Sequence, residues 1–529
     1  MDENTGRLTL GWQVTPTREP RFWQKDGAKP GNQVKEDMLE ISAGNLASHT
    51  AIIAQSGSGK SFFLGRLIEE IALNSRARCV IFDPNADFRK IWEVESAKLW
   101  EEAAYDREER QGKLPHEPTR SEFERRWRRV GIRVRVGATE QISHKGPYEQ
   151  LRLWWPSLSM AFLADDIDPM LRSDLHHCHA FVQELATLAE LRYWATEKAV
   201  DLIDEAKRVF RLSRGMSGSD VRLGLEDYEI EKLGKPSGFG EDIVKIGRNF
   251  ATRTMLRDRY NRFIERAVSL GEYVSPAVER FYFGRAQEYR SAGILQTSPR
   301  ESPWAAESTN RIEVIDLPSI KDAGTRLLAI SAVLATEWDR AREAWSDALT
   351  APTDDRVPTF IVVDEAHNVI PEEPRGKPDA SLREQFRTIA AEGRKYGLFL
   401  LLVSQRPDKL DKMVLSECEN KAVMKLGSAA VLGITREMLG LDDLPPKLLE
   451  RCLEFETGRV LMMGQWMPQG PQIIYAAARR TIEGGRNLRR EHWAVPEDSA
   501  QVVTSPKPAQ KKRISSETKK LNRGRRKKR

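Results

Sequence analysis

Gly57, Gly59, Lys60 and Ser61 stand together in the run Thr50 to Gly65, TAIIAQSGSGKSFFLG, and their types and spacing suit the binding of a phosphate chain. Glycines let consecutive backbone N–H groups turn inward around β- and γ-phosphates, a lysine adds a mobile positive charge, and a serine hydroxyl ligates magnesium. Nucleotide contacts are therefore expected from Ser56, Gly57, Ser58, Gly59, Lys60, Ser61 and Phe62, with Ser61 also a metal ligand. The elements that must hold such a loop are legible on either side. A short apolar run feeds it, and Phe63, Leu67, Ile68 and Ile71 follow at helical spacing, so the loop opens a helix whose positive N-terminal dipole faces the phosphates. Ala54 stands where this pattern usually begins with glycine, which alanine fits if its φ stays negative.

A second element, Thr359 to Pro371, TFIVVDEAHNVIP, is a β-type apolar run leading straight into two carboxylates. Asp364 is placed to hold magnesium through its water shell, and Glu365 to polarise an attacking water. The pair is expected to end a buried strand beside the phosphate-loop strand, where a low-dielectric wall directs the charges at the nucleotide. Farther on, EGRKYGLFLLLVSQRPDKL reads as a helix ending at Gly393, a basic turn, and an apolar strand, Leu398 to Val403, that delivers Ser404, Gln405 and Arg406. Gln405, at the tip of a strand neighbouring the carboxylates, is the candidate sensor of the γ-phosphate. The letters Asp-Glu-Ala-His also occur in DEAD/DEAH helicases, but neither their Ser-Ala-Thr box nor their arginine-rich final motif is evident downstream.

The ordered set LASHTAIIAQSGSGKS, CVIFDPNADF, RIEVIDLPSI, DEAHNVIP, EGRKYG with LVSQRP, VLSECENKAVMKL and GRVLMMGQWMPQGPQIIYAAARR resembles the HerA branch of the FtsK/HerA ATPases. The resemblance covers roughly residues 38 to 480 and is loosest between 150 and 300. It implies an α/β, RecA-like P-loop NTPase core using ATP and Mg2+, assembled as a homo-oligomeric, hexameric ring that translocates or unwinds double-stranded DNA with a nuclease or other effector partner, in DNA processing or phage defence. Carried onto this sequence, it gives Lys60 and Ser61 to nucleotide and magnesium, Asp364 to magnesium, Glu365 to catalysis and Gln405 to sensing. Arg394 falls where family members place an arginine that reaches into the neighbouring subunit and stabilises the transferring phosphoryl group. A plainer reading of Arg394 is a helix C-terminus favouring basic residues. The alternative function is an ATP-gated oligomeric scaffold that activates a partner with little translocation. A motor for protein secretion, like the type IV secretion ATPases, shares the same core.

The chain is divided accordingly. Residues 1–45 form an N-terminal arm or reduced cap with strand-like pieces at Arg7 to Val14 and Met38 to Ile41, where HerA motors usually carry a β-barrel. Residues 46–144 and 301–485 form the two parts of the core, and 145–300 a mainly helical insertion whose basic stretches either line a DNA pore or are solvated helix faces. Within 46–144, IRVRV alternates apolar and arginine residues, as a half-exposed strand does. In LHHCHAF, only His176 and His179 share a helical face, so a helix surface is expected there and not a metal site.

Residues 486–529 are a C-terminal extension with a basic tail. From Pro506 to Arg529 it holds 12 Lys/Arg against the single acid Glu517, a net of +11; removing it from the total of +6 leaves −5 for the body. Without apolar periodicity the tail is expected to be disordered and to bind DNA phosphates through Lys511, Lys512, Arg513, Arg525, Arg526 and Lys527, releasing counterions; a solubility tail or a contact for an acidic protein is the alternative. Four cysteines without paired spacing, no signal-peptide pattern and no membrane-length apolar run point to a cytoplasmic protein without a membrane partner.

Overall fold

The computed structural model describes residues 6–14, 38–101, 118–137, 145–158, 171–196, 200–215, 274–298 and 310–484. The chain forms β1 (Arg7–Val14), β2 (Met38–Ser42), β3 (Thr50–Ile53), α1 (Lys60–Asn74), β4 (Arg78–Asp83), α2 (Arg120–Trp127), β5 (Ile132–Val136), β6 (Tyr148–Gln150) and β7 (Leu153–Trp154). The order continues with α3 (Arg172–Thr196), α4 (Leu202–Gly215), α5 (Pro276–Ser291), β8 (Leu295–Gln296), β9 (Ile312–Asp316), α6 (Ala323–Ala348), β10 (Thr359–Val363), α7 (Lys377–Tyr396) and β11 (Leu398–Ser404). It closes with α8 (Lys412–Ser416), β12 (Asn420–Val423), α9 (Ala429–Met438), α10 (Pro446–Glu450), β13 (Arg459–Met463) and β14 (Gln472–Ala476).

Twelve strands make one sheet in the order β2-β1-β14-β13-β12-β3-β11-β10-β4-β9-β5-β6. From β12 through β6 all neighbours are parallel, while β13, β14, β1 and β2 extend the other edge in antiparallel fashion. Strands β3, β4, β9, β10 and β11 are buried at every residue, as a parallel sheet covered on both faces requires. Alternate residues supply the two cores. Ile53, Phe82, Val363 and Leu402 pack with α6 and α7, whereas Ile52, Ile81, Val362 and Val403 pack with α1. The result is the expected RecA-like α/β core.

The strand carrying Asp364 and Glu365 does not lie beside the phosphate-loop strand as expected: β11 sits between β10 and β3. Its six residues from Leu398 to Val403 are all apolar and need burial on both faces, which the middle of the sheet provides. This order brings Gln405 between the phosphate loop and the carboxylates. Helix α7 also runs past Gly393 to Tyr396, where Gly397 (φ 84°) caps it in the left-handed conformation. Gly393 serves close packing instead, since a Cβ there would come within 2.8 Å of the Leu398 carbonyl oxygen.

In the segment read as an arm or cap, β1 pairs with β14 and β2 with β1, widening the sheet. The IRVRV run is β5, with Val134 and Val136 buried and Arg135 paired to Glu313. In the insertion, β7 pairs with β8 where the chain leaves for α3, α4 and α5 and returns. Those helices meet through an aromatic cluster in which Phe181 and Phe210 lie 4.4 Å apart. On α3, His176 and His177 are exposed while Cys178 and His179 are buried, and His179 Nδ1 lies 2.8 Å from the Tyr282 hydroxyl, so the four do not converge. Among the described residues no helix is long and apolar enough to cross a membrane.

His49, fully buried just before β3, ties α7 to β11. Leu400 N–H donates to its Nδ1 at 2.8 Å, so Nε2 carries the proton and donates to the Ala390 carbonyl at 3.0 Å. Burial lowers its pKa from 6.5 to about 4. The unfolded chain takes up this proton near pH 6.5 and the folded chain only near 4, so the stabilisation is whole above 6.5 and drains away as pH falls from 6.5 to 4, on the order of 3 kcal/mol. His179 shifts the same way, to about 4, through burial. Thermal melts at pH 7.5 and 5 are expected to differ more for the wild type than for His49→Gln, which also melts lower at pH 7.5.

Candidate nucleotide-binding site

The loop between β3 and α1 is shaped by its glycines and by a brace from far along the chain. Ala54 is buried and keeps a negative φ; among the described residues only Ala86 and Glu365 are non-glycine positions with positive φ. Gly57 (φ 77°) and Gly59 (φ 92°) take the left-handed values that curl the loop. Ser58 donates both its hydroxyl (2.6 Å) and its N–H (3.2 Å) to the Gln55 carbonyl, so its donors serve the turn itself. Thr457 Oγ1 donates to the Gly57 carbonyl at 3.4 Å and Gly458 N–H to that of Ser58 at 3.1 Å. Ser56 is exposed, and Phe62 is 47% exposed on the first turn of α1.

At the end of β10, Asp364 is fully buried and Glu365 sits at φ 48°, a left-handed value that costs a non-glycine residue about 1–2 kcal/mol. Consecutive strand residues face opposite sides. The left-handed turn brings both carboxylates onto one lysine, with Lys60 Nζ 2.7 Å from Asp364 Oδ1 and 2.5 Å from Glu365 Oε1. Burial alone would lower the Lys60 pKa, but the charge and hydrogen bond of Asp364, backed by Glu365, hold it above its ordinary value. Gln405 Nε2 donates to the same Glu365 Oε1. Glu365 Oε2 is buried without a hydrogen-bond partner, 3.5 Å from His367 Nδ1. Burial keeps the His367 pKa below its ordinary value despite Glu365. A cleft of about 780 Å³ opens here, lined by Asn85, Glu365, His367, Gln405, Arg406 and Asp408 among others.

Two further acids complete the site. Asp83, at the end of β4, accepts the N–H groups of Asn85 (3.2 Å), Asp87 (3.1 Å) and Phe88 (2.8 Å), which folds the following loop back over α1. Burial first, then the charges of Asp87, Asp364 and Asp316, push its pKa up to about 7. Asp87 Oδ2 accepts the Ser61 hydroxyl at 2.6 Å. Hard oxygen donors on Ser61 and Asp364, amid this excess of carboxylates, fit Mg2+, and the positive-φ glycines and Lys60 fit a phosphate chain.

Arg394 is elsewhere. It sits in the last turn of α7, ahead of β11, and its guanidinium pairs with Glu419 at 2.5 Å. The tail residues Lys511, Lys512, Arg513, Arg525, Arg526 and Lys527 lie outside the described residues.

The family pattern described as "Helicase HerA, central domain" matches residues 34–122, which hold the phosphate loop, α1, β4 and the Asp83–Phe88 loop. This stretch is a HerA-like P-loop segment. The DNA double-strand break repair helicase HerA of Sulfurisphaera tokodaii is 30% identical over 110 residues, 21% of this chain and 21% of its own. A probable helicase of Methanocaldococcus jannaschii is 41% identical over 131 residues, 25% of this chain and 24% of its own. The chain therefore spans about a quarter or less of the curated HerA-like relatives it matches. Among solved structures, VirB4 of Thermoanaerobacter pseudethanolicus aligns with 90% of this chain and 98% of its own at 13% identity and TM-score 0.41.

The HerA pattern ends at residue 122, so Asp364, Glu365 and Gln405 join the site by this chain's own geometry. The sequence motifs do not single out Asp83, Asp87 or the brace at Thr457–Gly458. The first two carried a signal, acids directly after an apolar strand in CVIFDPNADF; the brace, four hundred residues from the loop it touches, carried none.

Proposed function

We propose that this chain hydrolyses ATP and uses the cycle to translocate duplex DNA, working in the cytoplasm as a hexameric ring of its own copies, with a nuclease or other effector chain in DNA processing or phage defence. The observation that carries the proposal is the convergence of Lys60, Asp364, Glu365 and Gln405 where the phosphate loop meets the ends of β10 and β11. The glycine loop cradles the phosphates, and Lys60 leaves the carboxylates to contact them. Ser61 and Asp364 would hold Mg2+, which draws charge from the phosphates. Glu365 Oε2, the oxygen without a partner, receives the proton of the attacking water. Gln405 shares the other oxygen and leads into the Pro407–Lys409 turn, which packs against α9, a route by which phosphate loss moves surface elements. Cys79, Cys178, Cys418 and Cys452 are all buried as thiols, which suits a reducing compartment.

ATP hydrolysis measured across a salt series, with and without linear duplex DNA, tests the proposal. Turnover is expected to rise with DNA at low salt and to lose that stimulation steeply as salt increases, because phosphate contacts release counterions. Turnover that depends on Glu365 yet is indifferent to DNA at every salt would replace the translocase with the ATP-gated scaffold.

A further inference from the structure

The chain leaving β14 crosses the flank of α1 and closes on the Asp83–Phe88 loop. Glu69 of α1, fully buried, anchors it by accepting the N–H groups of Arg480 (2.9 Å) and Thr481 (2.8 Å) and the Thr481 hydroxyl (2.8 Å). Beside this anchor Arg479 turns inward and is only 4% exposed. Its Nε donates to Thr481 Oγ1 at 3.1 Å, and its Nη2 to the carbonyls of Asp87 (3.1 Å) and Ile482 (3.0 Å). Its guanidinium carbon lies 4.9 Å from the centre of the Phe88 ring. Gly484 N–H donates to the same Asp87 carbonyl at 3.1 Å.

Placing a guanidinium here is costly in two ways. It must be desolvated, and α1 must carry Gly65, because a Cβ there would come within 2.4 Å of Arg479 Cδ; glycine inside a helix costs about 1 kcal/mol relative to alanine. Methionine would fill the same space without burying a charge. What arginine alone supplies is a forked donor, and one of its bonds fixes the backbone of Asp87. The Asp87 carboxylate in turn accepts the Ser61 proton. A hydroxyl that offers its lone pair to a cation must send its proton elsewhere, and the acceptor sets its direction.

We infer that Arg479 is a positioning residue for the metal–nucleotide site: by fixing Asp87 it aims the Ser61 hydroxyl and sets the Mg2+ requirement for nucleotide binding. The inference rests on the nucleotide reading of the site given above. It is tested on the full chain by binding of a fluorescent ADP analogue, titrated with Mg2+ and repeated in EDTA. Arg479→Met is expected to raise the Mg2+ concentration for half-maximal binding roughly tenfold and to leave binding in EDTA unchanged. Asp87→Ala should reproduce that shift, and the double variant should add nothing to it. Arg479→Lys keeps the stem and charge but loses the fork; it should shift in the same direction and takes the place of the methionine variant if that chain does not fold. Variants that melt earlier yet need no more Mg2+ than the wild type would reduce the strap to packing and overturn the inference. A wild type that binds no nucleotide, or binds it equally well after Lys60→Ala, would sink the nucleotide reading itself.

Discussion

Replacing Glu365 by glutamine is expected to lower ATP turnover by roughly three orders of magnitude while leaving nucleotide affinity unchanged. The substitution keeps the shape of the side chain, and its amide oxygen can still accept from Gln405. It removes the basic oxygen that has no hydrogen-bond partner in the buried end of the cleft. Asp364 remains at 2.7 Å to hold Lys60, so the phosphate loop keeps its principal counter-charge and its folded state. Lys60→Ala should differ in kind: it abolishes nucleotide binding and leaves two buried carboxylates uncompensated, so the protein also melts lower. Stopped-assay turnover combined with a fluorescence binding titration separates the two variants. Near wild-type turnover in Glu365→Gln would move the base elsewhere, with His367, 3.5 Å from Glu365, the first candidate.

The local chemistry was legible in the sequence because each piece is contiguous. Thr50 to Gly65 is strand, loop and helix in a row, and Phe360 to Glu365 joins an apolar strand to its acids without a gap. Pairing between strands is not contiguous. Nothing in Leu398 to Ser404 says that it lies between Thr50–Ile53 and Thr359–Val363; that follows from its apolar length competing for the most buried place in the sheet, a property of the whole fold. The same holds for β1, whose partner β14 is the last strand, and for Arg479, which reads as one of many basic residues until the backbone folds it against Gly65. The left-handed Glu365 was equally hidden, since the strain is imposed by Lys60 and Gln405 meeting its carboxylate and not by local preference.

Arg394→Ala is expected to reduce ATP turnover by roughly a thousandfold, and mixing it with the inactive Glu365→Gln protein should restore part of the loss. Topology supplies the argument. The proposed nucleotide site lies at the C-terminal ends of β3, β10 and β11, whereas Arg394 lies on the last turn of α7, just before β11 begins. The seven residues of β11 separate the two edges by about 20 Å, too far for an arginine to span. Arg394 therefore cannot act on the site of its own chain, and any catalytic role it has must be played on a neighbouring copy. In a mixed assembly, an Arg394→Ala protomer retains Glu365 and can receive the intact Arg394 of a Glu365→Gln neighbour, which completes one site from two defective chains. Recovery on mixing requires both that the chain assembles and that the arginine is shared across the junction. If Arg394→Ala turns over at the wild-type rate and mixing changes nothing, the residue is a helix-end cation satisfied by Glu419, 2.5 Å away, and the transition-state charge is met by other groups.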